Sequence, residues 1–439
     1  MNSDDKHKQG PTKSTEAASD VGKIVQWWYK SAWEAKQRDD MNVAWCMMNT
    51  PQEILFAMNI IPMFPEQYSA ACAAKQAATT YCDKAEMEGF SVDICSFCRV
   101  GLGYAAIYRE LENLPPETPY GGIPKPDMFI SRTSCDPGYK WFQALQYWDL
   151  PMFVYDDPTP PLEADPQDER TASRYINYYL EQYKELVTFL EKVTGRKMDW
   201  DRLSQILENG QEIWRLSYEI NQLRKTIPSP MATQDHMAAV LPFWILTGTE
   251  KALDFTRKLH KEVQDRVNNK IGVIPNEKHR LLWSGMATYH NMGIFNYFEK
   301  NGAVFAIETE YLPNIPIELD VSKPLEALAK REYFSGRRPR SIPGGSKLGD
   351  ATMEYPLELF LELIKDYHVG GVVMHSVRSC RLVSIGQLRA RQMLVQHLNI
   401  PVMSFEGDMA DARVYSEAET EKMANTFIEM LEVSKTIKR

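Results

Sequence analysis

The chain has 439 residues, a net charge of −9 and seven cysteines. This length exceeds one ordinary hydrophobic core, so we expect two or three domains, and the negative charge argues against a general nucleic-acid-binding protein. No apolar run approaches the ~20 residues that span a bilayer, and the N-terminus has no apolar signal core. We therefore expect a cytoplasmic protein with no membrane contact, in which the cysteines bind metal or are buried rather than forming disulfides.

The elements predicted along the chain alternate between strands and helices. Residues 1–22 are polar and predict a disordered tail, and residues 23–165 predict an N-terminal α/β domain that opens with a Trp-rich helix. Residues 166–270 predict a helical region, and residues 271–439 predict a second α/β domain. The predicted strands lie at 42–48, 59–64, 127–131 and 151–155, and at 280–285, 303–307, 370–375 and 401–405. Such alternation is typical of parallel sheets, in two Rossmann-like or flavodoxin-like domains.

Cysteines occupy the same place in two of these strand-to-helix units. One unit runs from Asp127 to Cys135, and the other runs from Gly371 to Cys380. In open α/β sheets the carboxyl ends of the strands are where ligands bind. A third thiol, Cys95, lies in a loop that also contains Cys98. Three thiols from three loops suggest a metal cluster that is assembled by the fold rather than by one local motif.

Each candidate residue also has a purely structural interpretation. The Cys95-x-x-Cys98 pair alone fits half of a zinc site, a redox pair or two buried thiols. Glu66, at the end of a strand-like run, fits either an acid–base residue or a helix first-turn residue favoured by the helix dipole. His375 fits either a proton donor or a structural histidine. The other cysteines lie within apparent secondary structure and are interpreted as buried thiols: Cys46, Cys72 and Cys82.

The order and spacing of several segments resemble the 2-hydroxyacyl-CoA dehydratase and benzoyl-CoA reductase family over residues 40–435. The segments that carry the resemblance are Pro51-Gln-Glu53 through Pro62, Cys95-Ser-Phe-Cys98-Arg99, Thr133-Ser-Cys135-Asp136, His375 with Cys380, and Pro401 to Asp408. The resemblance implies two α/β domains with a helical insertion and a [4Fe–4S] cluster at the domain interface. It implies Cys95, Cys135 and Cys380 as the cluster ligands, with Cys98 as a neighbour, and it places Glu66 near the iron that lacks a thiolate.

Within this family the chain looks most like a cluster-binding subunit of ATP-dependent benzoyl-CoA reductase. That resemblance implies an oxidoreductase of anaerobic aromatic degradation that reduces benzoyl-CoA, or a substituted analogue, by two electrons to a cyclic dienoyl-CoA. Glu66 and His375 would supply protons. The chain has no convincing ATP motif, so the ATP and the low-potential electrons would come through partners.

The partners that the resemblance implies are a homologous cluster-binding subunit, which forms a heterodimer with this chain, and ATP-hydrolysing activator subunits. Acyl-CoA would be the substrate. Two alternatives stay open from the sequence. The chain could be a 2-hydroxyacyl-CoA dehydratase subunit, in which one electron is recycled, or a non-catalytic scaffold or electron-transfer subunit that carries the cluster.

Overall fold

The computed structural model describes residues 10–158, 168–313, 315–334 and 351–437. In these ranges eight strands form two four-stranded sheets. The strands are β1 (Asn42–Cys46), β2 (Ile60–Met63), β3 (Met128–Arg132), β4 (Met152–Tyr155), β5 (His279–Ser284), β6 (Ala303–Glu308), β7 (Gly371–Val377) and β8 (Val402–Gly407). Every predicted strand is present at its expected place.

Helices surround and connect the sheets. Those before β5 are α1 (Glu16–Ala35), α2 (Gln52–Ala57), α3 (Pro65–Ala74), α4 (Ala78–Met87), α5 (Ser96–Leu111), α6 (Asp136–Trp141), α7 (Glu169–Thr194), α8 (Trp200–Leu223), α9 (Thr233–Val240) and α10 (Glu250–Asn268). Those after β5 are α11 (Gly293–Lys300), α12 (Pro324–Phe334), α13 (Ala351–Asp366), α14 (Arg381–Ser384), α15 (Gln387–Leu398) and α16 (Glu417–Ile437). None of the helices in the described ranges is long and apolar enough to cross a membrane.

The two sheets have the same strand order. The first runs β2-β1-β3-β4 and the second runs β6-β5-β7-β8, and all neighbouring strands are parallel. In each sheet the order reverses between the first and the third strand of the unit. Loops that follow those two strands diverge and leave a crevice where α/β proteins bind ligands. The predicted fold class, two parallel-sheet α/β units, is confirmed.

Apolar side chains cover both faces of the second sheet. Leu281 and Trp283 of β5 pack on one face with Phe295 and Phe405, whereas Leu282 packs on the other with Phe360. Successive side chains of a strand point to opposite faces, so an uninterrupted apolar strand must be covered on both sides. This packing holds the second sheet in place, and polar loops follow its strands at the carboxyl edge.

Capping residues set the ends of the helices in the region between the two sheets. The Asp199 carboxylate caps α8 by accepting a hydrogen bond from the Arg202 N–H at 2.9 Å. Gly195 ends α7 in the left-handed conformation. Helix α8 continues through Gly210. A Cβ at Gly210 would lie 3.3 Å from the Thr247 side chain, so this glycine permits close packing.

The N-terminal segment differs from the predicted disordered tail. Helix α1 begins at Glu16, capped by the Thr15 side chain, rather than at residue 23. The backbone N–H groups of Ser14 and Thr15 donate to the Asp235 carboxylate at 2.9 and 3.1 Å. The N-terminal segment is polar and would not fold alone, but these hydrogen bonds to a residue distant in the sequence hold it in place. Residues 1–9 lie outside the described ranges, and the predicted domain boundaries stay predictions.

Candidate metal centre

Each of the three predicted ligand cysteines is the N-cap residue of a helix. Cys95 precedes α5, Cys135 precedes α6, and Cys380 precedes α14. The first turn of a helix carries unpaired backbone N–H groups and a positive partial charge. Each of the three thiols therefore lies at a helix N-terminus, where backbone N–H groups lower its pKa, although burial outweighs this effect.

The positions of Cys135 and Cys380 are equivalent in the two sheets. β3 ends at Arg132 and β7 ends at Val377, so each cysteine lies three residues beyond the third strand of its unit. Both loops leave the sheet at the point where the strand order reverses. The duplication predicted from the sequence thus places two thiols at matching crevices, and Cys95 is the addition that has no counterpart in the second unit.

The charges of the four thiols and one carboxylate act on one another. Burial raises the pKa of Cys95 well above its usual range, and the charges of Cys98, Cys380 and Glu66 raise it further. Burial likewise raises the pKa of Cys135, with Glu66 and Cys380 as neighbouring charges. Burial, above all, raises the pKa of Cys380 as well. Cys95, Cys135, Cys380 and Glu66 therefore lie close enough for their charges to interact.

The donor set, three thiols from three loops, is of the kind that holds iron–sulfur clusters. Within the described part of the chain, no three ligating side chains converge to hold one metal ion. A cluster assigns each thiolate to a different iron, so its ligands need not meet at a point. A Cβ at Gly138 would lie 3.0 Å from the Cys135 sulfur, so a glycine keeps space open at that thiol. Three half-buried thiols in one site fit an iron–sulfur group.

Cys98 differs from the three by its burial. It lies inside the first turn of α5 and is 3% exposed, whereas the other three thiols are partly exposed. Burial raises its pKa above the usual thiol range, and the Cys135 and Glu66 charges add to this. Cys98 is thus a close neighbour of the site. Cys46, Cys72 and Cys82 are buried thiols, as predicted.

Glu66 lies in the first turn of α3, directly after Pro65. Its carboxylate accepts a hydrogen bond from the backbone N–H of Met48 at 2.7 Å. Met48 belongs to the loop after β1, at the crevice of the first sheet. Burial raises the pKa of Glu66 to about 7, although the Met48 N–H and the Arg132 charge oppose this. At neutral pH the carboxyl group can both release and accept a proton.

His375 lies within β7 rather than at its end, because the strand continues to Val377. Its ring stacks on Phe405 at 4.9 Å, and its Nδ1 lies 2.6 Å from the Met286 carbonyl oxygen. Burial lowers its pKa to about 4, so the ring is neutral at pH 7. These contacts enclose His375 in the aromatic layer of the sheet, and none of them is with a cysteine. Its role as a proton donor stays a prediction.

Two serines join the loops of Cys95 and Cys380. The Ser96 N–H donates to the Ser379 hydroxyl at 3.0 Å, and that hydroxyl donates to the Asp408 carboxylate. Asp408 in turn accepts the N–H groups of Ala410 and Asp411. This link was not predictable from the sequence, because nothing in the local pattern pairs residues 283 positions apart.

Arg99 makes a second connection between the two halves. It is 2% exposed, and its guanidinium donates to Glu86 at 2.6 Å and to Asp411 at 2.9 Å. A buried arginine with two carboxylate partners holds its segments firmly, since removing either partner leaves a buried charge unpaired. The motif Cys95-Ser-Phe-Cys98-Arg99 therefore supplies one thiol and two of the groups that position it.

Comparison with known proteins gives related chains over nearly the whole length. The chain is 28% identical to the (R)-phenyllactyl-CoA dehydratase alpha subunit of Clostridium sporogenes, over 94% of this chain and 95% of the relative. It is 25% identical to the alpha subunit of lactoyl-CoA dehydratase from Anaerotignum propionicum, over 92% and 94%. It is 24% identical to a benzoyl-CoA reductase subunit from Thauera aromatica, over 87% and 86%.

The family model for the 2-hydroxyglutaryl-CoA dehydratase D-component matches residues 47–431. That match includes the second sheet, the helical region and all three N-cap cysteines. Relatives named as dehydratase subunits and as a reductase subunit both align with this chain, in agreement with the predicted resemblance. The chain belongs to the 2-hydroxyglutaryl-CoA dehydratase D-component family.

Proposed function

We propose that the chain is the iron–sulfur subunit of a 2-hydroxyacyl-CoA dehydratase. The observation that carries the proposal is the convergence of three N-cap thiols with a carboxylic acid of neutral pKa. The choice between dehydration and ring reduction rests on the relatives, because four of them are named as dehydratase alpha subunits, at identities of 22–28%. This favours the alternative over the leading sequence expectation of benzoyl-CoA reduction.

The proposed reaction removes water from C2 and C3 of the acyl group. The C2 hydroxyl leaves, one C3 proton is lost, and a double bond forms between the two carbons. When bound through Cys95, Cys135 and Cys380, the cluster would supply electrons singly at low potential. One electron delivered to the thioester would make the hydroxyl a better leaving group, and it would be recovered when the product forms.

Glu66 is the residue of this chain that we assign to proton transfer. A protonated carboxyl group can donate a proton to the departing hydroxide, and the resulting carboxylate can accept the C3 proton. The two steps together restore Glu66 to its starting state. A group that serves as both acid and base works best with a pKa near the working pH. The Met48 N–H orients the carboxylate and stabilises its charged form.

Partners complete the proposed enzyme. The relatives are named as subunits, which supports a second subunit. We propose that electrons reach the site from a separate ATP-hydrolysing activator, because the chain shows no convincing ATP-binding motif. Such an enzyme would need ATP and reductant only to start, since the electron is recovered in each turnover.

The experiment is an anaerobic assay of the complex with two kinds of thioester. 2-Hydroxyacyl-CoA substrates, such as phenyllactyl-CoA and lactoyl-CoA, should turn over many times for each reducing equivalent and release the 2-enoyl-CoA. Benzoyl-CoA should give no product. Consumption of two electrons for each benzoyl-CoA would instead establish the second candidate, which the similarity to the Thauera aromatica reductase supports.

A further inference from the structure

Glu310 occupies in the second sheet the place that Glu66 occupies in the first. The two sheets share one strand order, in which β2 and β6 are the corresponding edge strands. Glu66 follows β2, and Glu310 follows β6, each within three residues of the end of its strand. The same duplication relates Cys135 to Cys380. Each sheet therefore presents one carboxyl group and one thiol at its carboxyl edge.

The two carboxylates are also anchored in the same way. Glu66 accepts a hydrogen bond at 2.7 Å from the N–H of Met48, in the loop after β1. Glu310 accepts one at 3.2 Å from the N–H of Gly285, in the loop after β5, and another at 2.8 Å from the Thr309 hydroxyl. β1 and β5 are the corresponding neighbours of the two edge strands. Each bond draws its carboxylate across the neighbouring strand, toward the crevice of that sheet.

Glu310 is linked to two parts of the candidate metal centre. Burial raises the pKa of Cys380, and the charge of Glu310 raises it further. The residue after Glu310 is Tyr311, whose hydroxyl lies 2.7 Å from that of Tyr289. The ring of Tyr289 lies 5.9 Å from that of Phe97, in the first turn of α5, and the N-cap of this helix is a proposed ligand cysteine. The carboxyl group is thus close to the centre without being hydrogen-bonded to a thiol.

No cation neutralises Glu310 within the described part of the chain. Both of its hydrogen bonds are accepted by Oε1, and no described residue donates to Oε2. Burial raises its pKa, and the bonds from Thr309 and Gly285 oppose this rise. The titratable groups that sense its charge are the Cys380 thiol and the Tyr311 hydroxyl, and neither carries positive charge. A further negative charge nearby therefore favours the protonated form of Glu310.

Glu66 differs from Glu310 in this respect. Burial raises the pKa of Glu66, but the charge of Arg132 opposes the rise. A cation beside a carboxylate already offsets part of any negative charge that is added there. Of the two equivalent carboxyl groups, Glu310 is therefore the one that gains more from a proton when the centre becomes more negative.

We propose that Glu310 takes up one proton when the cysteine-bound cluster gains one electron, and that it thereby sets the potential at which the electron is accepted. The electron comes from the proposed activator and the proton comes from water, so the net charge of the buried site is unchanged. Without that proton, an additional charge in a site removed from water is costly. Glu310 acts through the cluster and not on the substrate. The inference rests on the proposed iron–sulfur centre, but not on the choice of thioester.

The test is the pH dependence of the midpoint potential of this centre. The complex that co-purifies with the chain is reduced stepwise without oxygen, and the paramagnetic signal that Cys135→Ala removes is followed. Uptake of one proton with one electron lowers the potential by about 59 mV for each pH unit. This slope should appear above the usual pKa range of glutamate, because burial raises the pKa of Glu310 and the added electron raises it again. At lower pH Glu310 is protonated in both states, and at higher pH in neither.

We expect Glu310→Gln to reduce the slope at least about twofold. Thr309→Val keeps the carboxyl group but removes a hydrogen bond that stabilises its charged form, so it should move the sloping range to higher pH. The matched control is Glu406→Gln, because Glu406 also lies at the carboxyl end of a strand but is exposed and paired with Arg378. It should keep the wild-type slope. Iron counts and thermal midpoints compare the loading and folding of the variants.

Three results would overturn the proposal. The first is a slope that Glu310→Gln and Thr309→Val both leave unchanged. The second is a slope that Glu66→Gln abolishes instead, which would make Glu66 the redox-linked carboxyl group. The third is a wild-type potential that does not change from about pH 5 to about pH 9. Each of these requires an intact cluster, so the proposed iron–sulfur centre would survive them. A wild-type complex without iron and sulfide in this chain would refute that centre together with the inference.

Discussion

Replacing Ser379 by alanine should both destabilise the protein and loosen the cluster site. Its hydroxyl accepts a hydrogen bond from the Ser96 N–H at 3.0 Å and donates one to Asp408. Ser96 is fully buried, so no water can replace the lost partner. Since Ser96 follows Cys95 and Ser379 precedes Cys380, this one hydroxyl fixes the two ligand loops to each other.

The expected cost follows from the two bonds. A buried N–H without a partner costs about 1–3 kcal/mol. Loss of the bond to Asp408 adds about 1 kcal/mol, because that carboxylate keeps the N–H groups of Ala410 and Asp411. We therefore expect Ser379→Ala to lower the free energy of unfolding by about 2–4 kcal/mol in urea titrations. Anaerobic iron loss to a chelator should also become faster.

Ser384→Ala is the matched control, because it removes a hydroxyl from the same region. Ser384 donates to the Val377 carbonyl oxygen at 2.8 Å and is only partly buried, so its loss should cost about 0.5–1.5 kcal/mol. It makes no link to the Cys95 loop, so iron retention should stay at the wild-type level. Equal destabilisation and equal iron loss in the two variants would refute the reasoning that Ser379 couples the loops.

Three further predictions concern the thiols, the proton carrier and acid stability. Cys135→Ala should remove most of the iron and the activity, whereas Cys98→Ala should keep the iron; anaerobic iron and sulfide counts compare them. Glu66→Gln should lower kcat by roughly 100-fold or more with iron content unchanged, and full activity would contradict its role. Although burial opposes it, hydrogen bonds from Arg413 and Arg99 hold the pKa of Asp411 at about 2. Asp411→Asn should therefore cost roughly 2 kcal/mol at pH 7, and this difference should shrink as pH falls below ~4 toward 2, as urea titrations at pH 7 and pH 3 would show.

The strands and two of the thiols were predictable because their signals are local. An apolar run followed by a polar loop marks the end of a parallel strand, and this located Cys135 and Cys380. The equivalent positions of these two cysteines in the two units were predictable for the same reason. The family resemblance, rather than any strand pattern, selected Cys95 over Cys98.

The features that were not predictable from the sequence depend on distant partners or on strand length. The start of α1 depends on a carboxylate about 220 positions away, at Asp235. The place of His375 depends on two more residues of β7, which put its ring inside the sheet layer instead of at the sheet edge. The sequence neighbours of a short polar segment, or of a single histidine, do not indicate such distant contacts or the length of the strand.

The fold also explains why the site offers three thiols although Cys98 lies close to it. An N-cap residue has a non-helical backbone, so its side chain can leave the helix and face the crevice. Cys98 follows Cys95 by three positions and lies within α5, where helical geometry directs its side chain into the packed layer. Its exposure of 3% records that difference. Converting Cys98 into a ligand would require unwinding the first turn of α5, which Arg99 resists through its bonds to Glu86 and Asp411. In the proposed centre, the helix start, and not the number of nearby cysteines, therefore sets the number of ligands.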